Sequence, residues 1–264
     1  MYDLIKLSKS SKLDAWRELF DEAEDELRHA QNVINRDFKN KVLFPDEDKV
    51  FRAFELIRPE DINVVIFGQD PYMDYITQYL DKEGNIILYP TKQELKECKT
   101  IKVKRADGLA FSSSTKISPS LINIYQEIDN EFRSNIREYK EKNNIPLGDL
   151  SNWCKQGVML LNTSLVAVQG NDKVLSIWKG FIQRVVNTVE NINSCCVYML
   201  WGAYAIELGE DLNLSGILIK TSHPSPKSAS REVKDNPSFL GSDQFLVCNE
   251  ELKKLDKKEI NWVC

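Results

Sequence analysis

Polar residues follow three of the short apolar runs in this 264-residue chain. GQDPY (68–72) follows VVIF, Asn162 ends the run VMLLN, and HPSP (223–226) follows GILIKTS. These segments supply a carboxylate, an amide and an imidazole, which can stabilise charge, recognise a hydrogen-bonding edge and donate a proton. Ligands of open parallel sheets bind outside the carboxyl ends of the strands. If the runs are strands of one such sheet, the sequence predicts a polar site at that edge.

Each of these signals also has an ordinary structural explanation when it is taken alone. An Asp-Pro pair is typical of turns. An Asn that ends a strand is typical of a cap, and a His before Pro of a hydrogen-bonded loop. Phe111 in GLAFS is by default a core aromatic, and Tyr72 a rim aromatic. Only their joint occurrence therefore indicates a functional site.

The segments that must position these residues are four predicted strands, at 64–68, 158–162, 196–202 and 216–222. They are continuously apolar rather than alternating, as strands covered on both faces are. Helical segments lie between most of them, which is typical of an α/β fold. We therefore predict a single α/β domain over residues 1–264, with a central four-stranded parallel sheet flanked by helices.

The remaining amphipathic stretches predict helices. These helices span 13–34, 44–57, 118–132, 176–192 and 242–255. Residues 73–106 fit no βα unit, so we predict an insertion at the edge of the domain. Within it, Gly84-Asn85 forms a turn, and IILY and IKVK pair as strands.

The composition is that of an ordinary soluble globular protein, with 42% hydrophobic and 28% charged residues. No apolar run approaches the roughly 18 residues of a membrane span, and the N-terminus is not a signal peptide. Six scattered cysteines and two histidines argue against a zinc site and favour reduced thiols, as in the nucleus or cytoplasm. The net charge of −5 argues against nucleic-acid binding, although phosphate affinity depends on a local basic face.

Taken together, the motifs resemble those of the family 1 uracil-DNA glycosylases in identity and in order. The matching segments are GQDPY, GLAFS, SPSLINIY, WCKQGVMLLNTSL, LWG, HPSP followed by Ser228, and the C-terminal INW. FPDEDKVFRAF is also similar to the segment that leads the family's first strand. The resemblance runs from about Trp16 to Trp262, apart from the insertion. It implies a DNA-repair enzyme that flips uracil out of DNA and hydrolyses its N-glycosidic bond, leaving an abasic site.

The resemblance implies three substrate-binding side chains. Phe111 would stack on the flipped uracil, and the Asn162 amide would donate to O4 and accept from N3–H. Cytosine reverses that hydrogen-bonding pattern and would leave buried groups unpaired. Tyr72 would lie against C5, where thymine carries a methyl group, and would exclude thymine sterically.

The resemblance also implies how the bond is cleaved. Asp70 would stabilise the positive charge on the sugar and orient the attacking water. His223 would donate to uracil O2 as negative charge gathers there, and the backbone around Gln69 would bind the same oxygen. This chemistry needs no metal and no organic cofactor.

DNA contacts are implied at two turns. Ser120, beside Pro119 at a helix start, and Ser225 with Ser228 are similar to the serines that bind phosphates in the family. Helix capping is an equally good explanation for Ser120. Lys227 stands where the family usually carries the leucine that wedges into the vacated base stack, which puts extrusion from a duplex in doubt.

Two further departures and the charge pattern bear on the DNA contacts. Met73 replaces the histidine that usually follows the tyrosine, and QGNDKVLSIW (169–178) departs from the family pattern, so the DNA contacts of that loop are not carried over. We also expect a basic strip around the pocket. Its members are Lys227, Arg231, Lys234, Lys102, Lys104 and Arg105.

Two other functions remain open. The chain could be a glycosylase-fold scaffold or processivity subunit of a DNA replication complex, for which the insertion and the Lys227 loop would be supporting features. A glycosylase of changed base specificity is disfavoured because Tyr72 and Asn162 both match uracil. The expected partners are single- or double-stranded DNA containing uracil, and replication or repair proteins. We expect a monomer that does not bind membranes.

Overall fold

In the computed structural model, which describes residues 1–113, 115–170 and 172–264, the strands form three sheets. The strands are β1 (Leu43–Phe44), β2 (Val64–Gly68), β3 (Tyr75–Leu80), β4 (Ile86–Ile87), β5 (Lys99–Lys104), β6 (Val158–Asn162), β7 (Ala167–Val168), β8 (Val197–Trp201) and β9 (Ile217–Thr221). The central sheet has the order β6-β2-β8-β9, and all of its pairings are parallel. The predicted four-stranded α/β fold is therefore confirmed.

The central sheet is covered by helices because its strands are apolar on both faces. Every residue of β2, β6 and β8 is buried, whereas β9 lies at an edge and is partly exposed. The α-helices are α1 (Leu4–Ser8), α2 (Arg17–Glu22), α3 (Glu24–Asp37), α4 (Arg52–Glu55), α5 (Glu94–Glu97), α6 (Pro119–Phe132), α7 (Ile136–Lys142), α8 (Ser151–Cys154), α9 (Lys179–Ile192), α10 (Ala203–Asp211) and α11 (Gln244–Lys254). Short 3-10 helices span Ser11–Trp16, Glu47–Lys49, Pro59–Asp61 and Asp172–Trp178. No described helix is long and apolar enough to cross a membrane.

Two helix predictions are wrong in extent. The helix predicted at 13–34 is divided into a 3-10 turn, α2 and α3, with the break at Ala23. Periodicity indicates which face is buried, but it does not report the dihedral angles of one residue. The helix predicted at 44–57 is reduced to a 3-10 turn and α4, because Phe44 pairs with Ala167 in a strand.

The strand pairing that we predicted in the insertion is also wrong. IILY and IKVK do not pair with each other, because both flank β3 in an antiparallel sheet of order β4-β3-β5. Strand β3 was not predicted from the sequence. Its buried positions are Ile76 and Gln78, and because Gln78 is polar, the alternation of apolar and polar residues is masked. The predicted turn is confirmed, and Gly84 has the positive φ of 89° that favours glycine.

Helix α11 is held against α6 by two glutamates. The Glu127 carboxylate accepts hydrogen bonds from three successive backbone N–H groups before α11, at 2.7–3.1 Å. Glu131 accepts from the N–H groups of Phe245 and Leu246 at 3.4 and 2.7 Å. Carboxyl oxygens at a helix N-terminus satisfy its unpaired N–H donors.

Candidate active site

The topology brings the predicted polar residues to one edge of the central sheet. Strands β2 and β6 are neighbours, and Gly68 is aligned with Asn162 at their carboxyl ends. Strand β8 lies between β2 and β9, and its last residue, Trp201, is aligned with Thr221. His223 follows β9 directly, so it shares this edge with the segment after β2.

Asn162 occupies a fixed place above the end of β2. Its residue is only 4% exposed. A Cβ atom at position 68 would overlap the Asn162 Oδ1 atom and would lie 2.9 Å from the Ala110 Cβ atom. The amide therefore fits against backbone, and only glycine at position 68 leaves room for it.

Phe111 is a half-buried ring on a strained backbone. It has a φ of 62°, in the left-handed region that costs an ordinary side chain roughly 1–2 kcal/mol. Its ring centroid lies 5.0 Å from that of Trp201, edge to face, and 5.8 Å from that of His223. These contacts fix the ring as a platform next to the imidazole.

Tyr72 is held through its hydroxyl and its ring. The hydroxyl donates to the Ser118 Oγ atom at 2.8 Å and to the Phe111 carbonyl at 3.3 Å. Ser118 in turn caps α6 by accepting from the Leu121 N–H at 3.1 Å. The Arg105 guanidinium lies 5.5 Å from the centre of the Tyr72 ring. Burial raises the pKa of Tyr72, so the phenol remains a neutral donor.

The hydrogen bonding of His223 assigns its tautomer. Its Nδ1 atom accepts from the Ser225 N–H at 3.0 Å, so the proton of the neutral ring is on Nε2. Burial lowers the pKa of His223, which keeps the ring neutral near pH 7. Gly202 has a φ of 92°, and a Cβ there would lie 2.7 Å from the His223 Cβ atom. The turn after β8 therefore packs directly against the backbone and Cβ atom of His223.

The segment after β2 is exposed at its side chains but fixed at its backbone. Gln69 and Asp70 are both exposed. The Gln69 carbonyl accepts from the Ser164 N–H at 2.9 Å and from the Thr163 Oγ1 atom at 3.0 Å. The Asp70 carboxylate is near enough to Tyr204 to contribute to the raised pKa of that phenol, which is due first to burial.

The HPSP turn has a hydroxyl pair beside the imidazole. The Oγ atoms of Ser225 and Ser228 lie 2.8 Å apart, and the Ser228 hydroxyl donates to the His223 carbonyl at 3.0 Å. The Asn123 side chain donates to the Pro224 carbonyl at 2.7 Å and ties this turn to α6. Lys227 is exposed at the tip of the turn.

At the start of α6, Ser120 is not the residue that caps the helix. The cap is Ser118, whose hydroxyl accepts from the Leu121 N–H. Pro119 is exposed and Ser120 is half-buried in the first turn. Ser120 is therefore not explained by capping, and its phosphate contact stays a prediction.

Three of the six cations in the expected basic strip form salt bridges with carboxylates. Lys104 pairs with Asp46 at 2.8 Å, Arg105 with Asp74 at 2.7 Å, and Lys234 with Glu207 at 2.5 Å. The exposed cations that remain of the strip are Lys227, Arg231 and Lys102.

The two further departures from the family pattern are Met73 and the loop 169–178. Met73 packs with Tyr72 against a small apolar cluster that includes Phe44 and Ala167, which is a structural role. Of the loop 169–178, Asn171 lies outside the described residues.

Sequence reasoning missed two residues of this site. Thr163 appeared only as the neighbour of Asn162, and Tyr204 was not singled out. Their hydroxyl oxygens lie 2.6 Å apart, next to the segment after β2. The available signal was that Thr163 follows Asn162 directly, and that Tyr204 follows another predicted strand of the same sheet (196–202). The hydroxyl-to-hydroxyl contact itself depends on the turn after β8, which periodicity does not describe.

An aromatic ring, a buried amide and an imidazole thus lie at the carboxyl edge of the α/β sheet. The chain belongs to the uracil DNA glycosylase superfamily, whose family profile matches residues 54–253. This membership confirms the resemblance seen in the motifs at the level of the superfamily.

The similarity to individual proteins covers most of the chain. It is 32% identical over 234 residues to a uracil-DNA glycosylase of Aliarcobacter butzleri, covering 87% of this chain and 90% of that protein. It is 29% identical over 259 residues to one of Mycoplasmopsis pulmonis, covering 96% and 98%. The crystal structure of mimivirus uracil-DNA glycosylase is similar with a TM-score of 0.73 and 25% identity, covering 98% of this chain and 88% of that one.

Proposed function

We propose that this protein is a uracil-DNA glycosylase of family 1, with its pocket formed by Asn162, Phe111, Tyr72, His223 and the segment after β2. The observation that carries the assignment is a continuous set of contacts. The amide lies on the end of β2, the Phe111 ring contacts the imidazole, and the Phe111 carbonyl accepts from Tyr72. A scaffold protein would not need this arrangement.

Base recognition follows from the fixed groups. The Asn162 amide donates to uracil O4 and accepts from N3–H, while the Phe111 ring stacks on the base. The Tyr72 ring occupies the space that a C5 methyl group would need. Because each of these groups is held by the protein before the base arrives, little ordering remains for binding.

Bond cleavage separates charge, and the site has a group for each sign. The Asp70 carboxylate stabilises the positive sugar and orients the water that attacks C1′. The electrons of the breaking bond move into the uracil ring, and negative charge gathers on O2. The His223 Nε2–H and the backbone at Gln69 donate to that oxygen, so uracil leaves as a stabilised anion.

The DNA backbone is bound at the two turns. Ser225 and Ser228 at the HPSP turn and Ser120 at the start of α6 contact phosphates, the two HPSP hydroxyls exchanging hydrogen bonds within the turn for bonds to the phosphate, and Lys227 adds positive charge. The protein acts as a monomer in the nucleus or cytoplasm, for which its six free thiols are suited.

The test replaces the two groups that meet developing charge. Asp70→Asn and His223→Ala are each expected to lower single-turnover cleavage of a uracil-containing single strand by about 10²- to 10⁴-fold, with DNA binding retained. Cleavage is read as strand breakage by alkali at the abasic site. Matched controls are Asp25→Asn and His29→Ala on α3, which are both exposed. Rates within tenfold of wild type for both site variants would overturn the assignment.

A further inference from the structure

Two hydroxyl groups form a chain that ends on the backbone of the site. The Thr163 hydroxyl donates to the Gln69 carbonyl at 3.0 Å, and the Tyr204 hydroxyl lies 2.6 Å from the Thr163 Oγ1 atom. Because the Thr163 proton is used on the carbonyl, Thr163 can only accept from Tyr204. The chain therefore runs in one direction, from Tyr204 through Thr163 to Gln69, and each bond polarises the next.

The carbonyl at the end of this chain belongs to the peptide that joins Gln69 to Asp70. A trans peptide is planar, so a fixed carbonyl also fixes the N–H of the next residue on the opposite side. The Ser164 N–H at 2.9 Å is the second donor to this carbonyl. Two donors from the segment after β6 thus set the orientation of the Asp70 N–H.

We propose that Tyr204 and Thr163 are positioning residues, which hold the Gln69–Asp70 peptide so that it donates to uracil O2 as the bond breaks. This inference rests on the proposed function, which assigns that oxygen to the backbone at Gln69. Tyr204 acts through Thr163 and does not itself contact the base.

The surroundings of the two hydroxyl groups support this role. Thr163 is 4% exposed, so its hydrogen bonds are shielded from water. Burial raises the pKa of Tyr204, which keeps its phenol protonated and able to donate. A cavity of about 340 Å³ is lined by both residues and by Leu208. Tyr204→Phe removes only the phenol oxygen and adds no atom, so it introduces no clash.

The experiment is a double-mutant cycle on single-stranded DNA. The variants are Tyr204→Phe, Thr163→Val and the double variant, with Thr163→Ser as the matched control that keeps the hydroxyl. We expect about three- to tenfold lower kcat for each single variant, from the loss of one hydrogen bond, with KM unchanged. The double variant should be no slower than Thr163→Val, because the chain is already broken there. Melting temperatures separate this effect from a loss of folding.

A second substrate reports whether the defect is at uracil O2. Fluorine at C5 withdraws electrons and makes 5-fluorouracil a better leaving group, which needs less stabilisation at that oxygen. The defect of Tyr204→Phe and Thr163→Val should therefore be smaller on 5-fluorouracil DNA than on uracil DNA. A merely structural role would slow both substrates alike.

Each contrary outcome has one meaning. Wild-type kcat in both single variants, additive losses in the double variant, or equal losses on the two substrates would overturn this inference. If Asp70→Asn and His223→Ala also retained wild-type rates, the proposed function itself would fall. If those two variants lose activity as expected, only the positioning role is at stake.

Discussion

Gly68 determines where the Asn162 amide, which we propose reads the base, can lie. A Cβ atom at this position would overlap Asn162 Oδ1, so Gly68→Ala should displace the amide from the pocket. We expect kcat/KM on uracil DNA to fall by about 10- to 10³-fold, as for the loss of one or two buried hydrogen bonds. The measurement is steady-state cleavage of a single-stranded oligonucleotide, beside a thermal melt.

A helical glycine provides the control for this substitution. Gly180 lies in α9, where a Cβ atom would meet only the Glu26 Cγ atom at 3.4 Å, an ordinary contact. Gly180→Ala should therefore keep full activity. An active Gly68→Ala enzyme would show that Asn162 does not read the base from this position.

At the scale of single residues, the sequence predicted which side chains meet but not how they are held. Asn162 and His223 were placed together because strand ends converge in a parallel sheet, whereas Phe111 was placed beside them by the resemblance. The left-handed backbone of Phe111 and the tautomer of His223 depend on individual dihedral angles and hydrogen bonds. Periodicity carries no information about either.

At the scale of elements, the insertion is attached to the pocket at its base. Arg105 follows β5, pairs with Asp74 before β3 and lies over the Tyr72 ring. We expect Arg105→Met to loosen the wall at C5. The ratio of inhibition constants for free thymine and free uracil should then fall severalfold, because thymine gains room for its methyl group.

The control for Arg105→Met is another arginine that forms a salt bridge but lies outside the proposed site. Arg137 pairs with Glu141 on the exposed side of α7, so Arg137→Met should leave the inhibition ratio unchanged. An unaltered ratio in Arg105→Met would mean that the Ser118 and Phe111 contacts hold Tyr72 without help from the insertion.

The HPSP turn carries a lysine at the wedge position. Extruding a base from a duplex costs a few kcal/mol of stacking and pairing, and an apolar wedge offsets part of this. The Lys227 ammonium must stay near water or phosphate, so only its methylene stem can enter the gap. We expect higher kcat/KM on single-stranded than on double-stranded uracil DNA. Lys227→Leu should speed duplex cleavage selectively, whereas exposed Lys258→Leu, the control, should not.

Two results would contradict this account of Lys227. One is equal wild-type rates on the two substrates at fixed salt. The other is a Lys227→Leu enzyme that changes both rates by the same factor. Either would indicate that another side chain supplies the wedge.

How well each strand or helix was predicted from the sequence depended on how it is buried. The four central strands were found within one residue at each end, because strands buried on both faces are continuous apolar runs. Strand β3 was missed because it covers the domain with only one face and carries Gln78 on that face. The break at Ala23 has no counterpart in the pattern of apolar residues.

At the scale of the whole molecule, α11 packs against two carboxyl groups of α6, of which Glu127 is buried and Glu131 is half-buried. Burial raises the pKa of Glu131 to about 8, against the opposing effect of the Leu246 and Phe245 N–H donors. The folded state then binds more protons than the unfolded state from about pH 4.5 to 8, so stability should fall as pH rises through that window. Chemical denaturation at pH 5, 6, 7 and 8 measures this slope.

A neighbouring substitution separates Glu131 from general charge effects. Glu131→Gln should flatten the slope, whereas Glu250→Gln, at an exposed position on α11, should leave it unchanged. A slope that persists in Glu131→Gln would place the titrating group elsewhere.

Glu127→Gln should lower stability, since its carboxylate accepts three backbone N–H groups.

The strained backbone of Phe111 lowers the free energy of unfolding, whereas the ring that it carries serves the proposed activity. Roughly 1–2 kcal/mol is lost to the left-handed conformation, which is a sizeable share of the 5–15 kcal/mol that usually separates folded from unfolded chains. Glycine would relieve that strain, but it would also remove the ring that packs against Trp201 and His223 and would leave the base with no ring to stack on. Because no residue type keeps a ring here and relaxes the backbone, variants that gain heat resistance and stay active are expected to keep Phe111 and to change elsewhere in the chain.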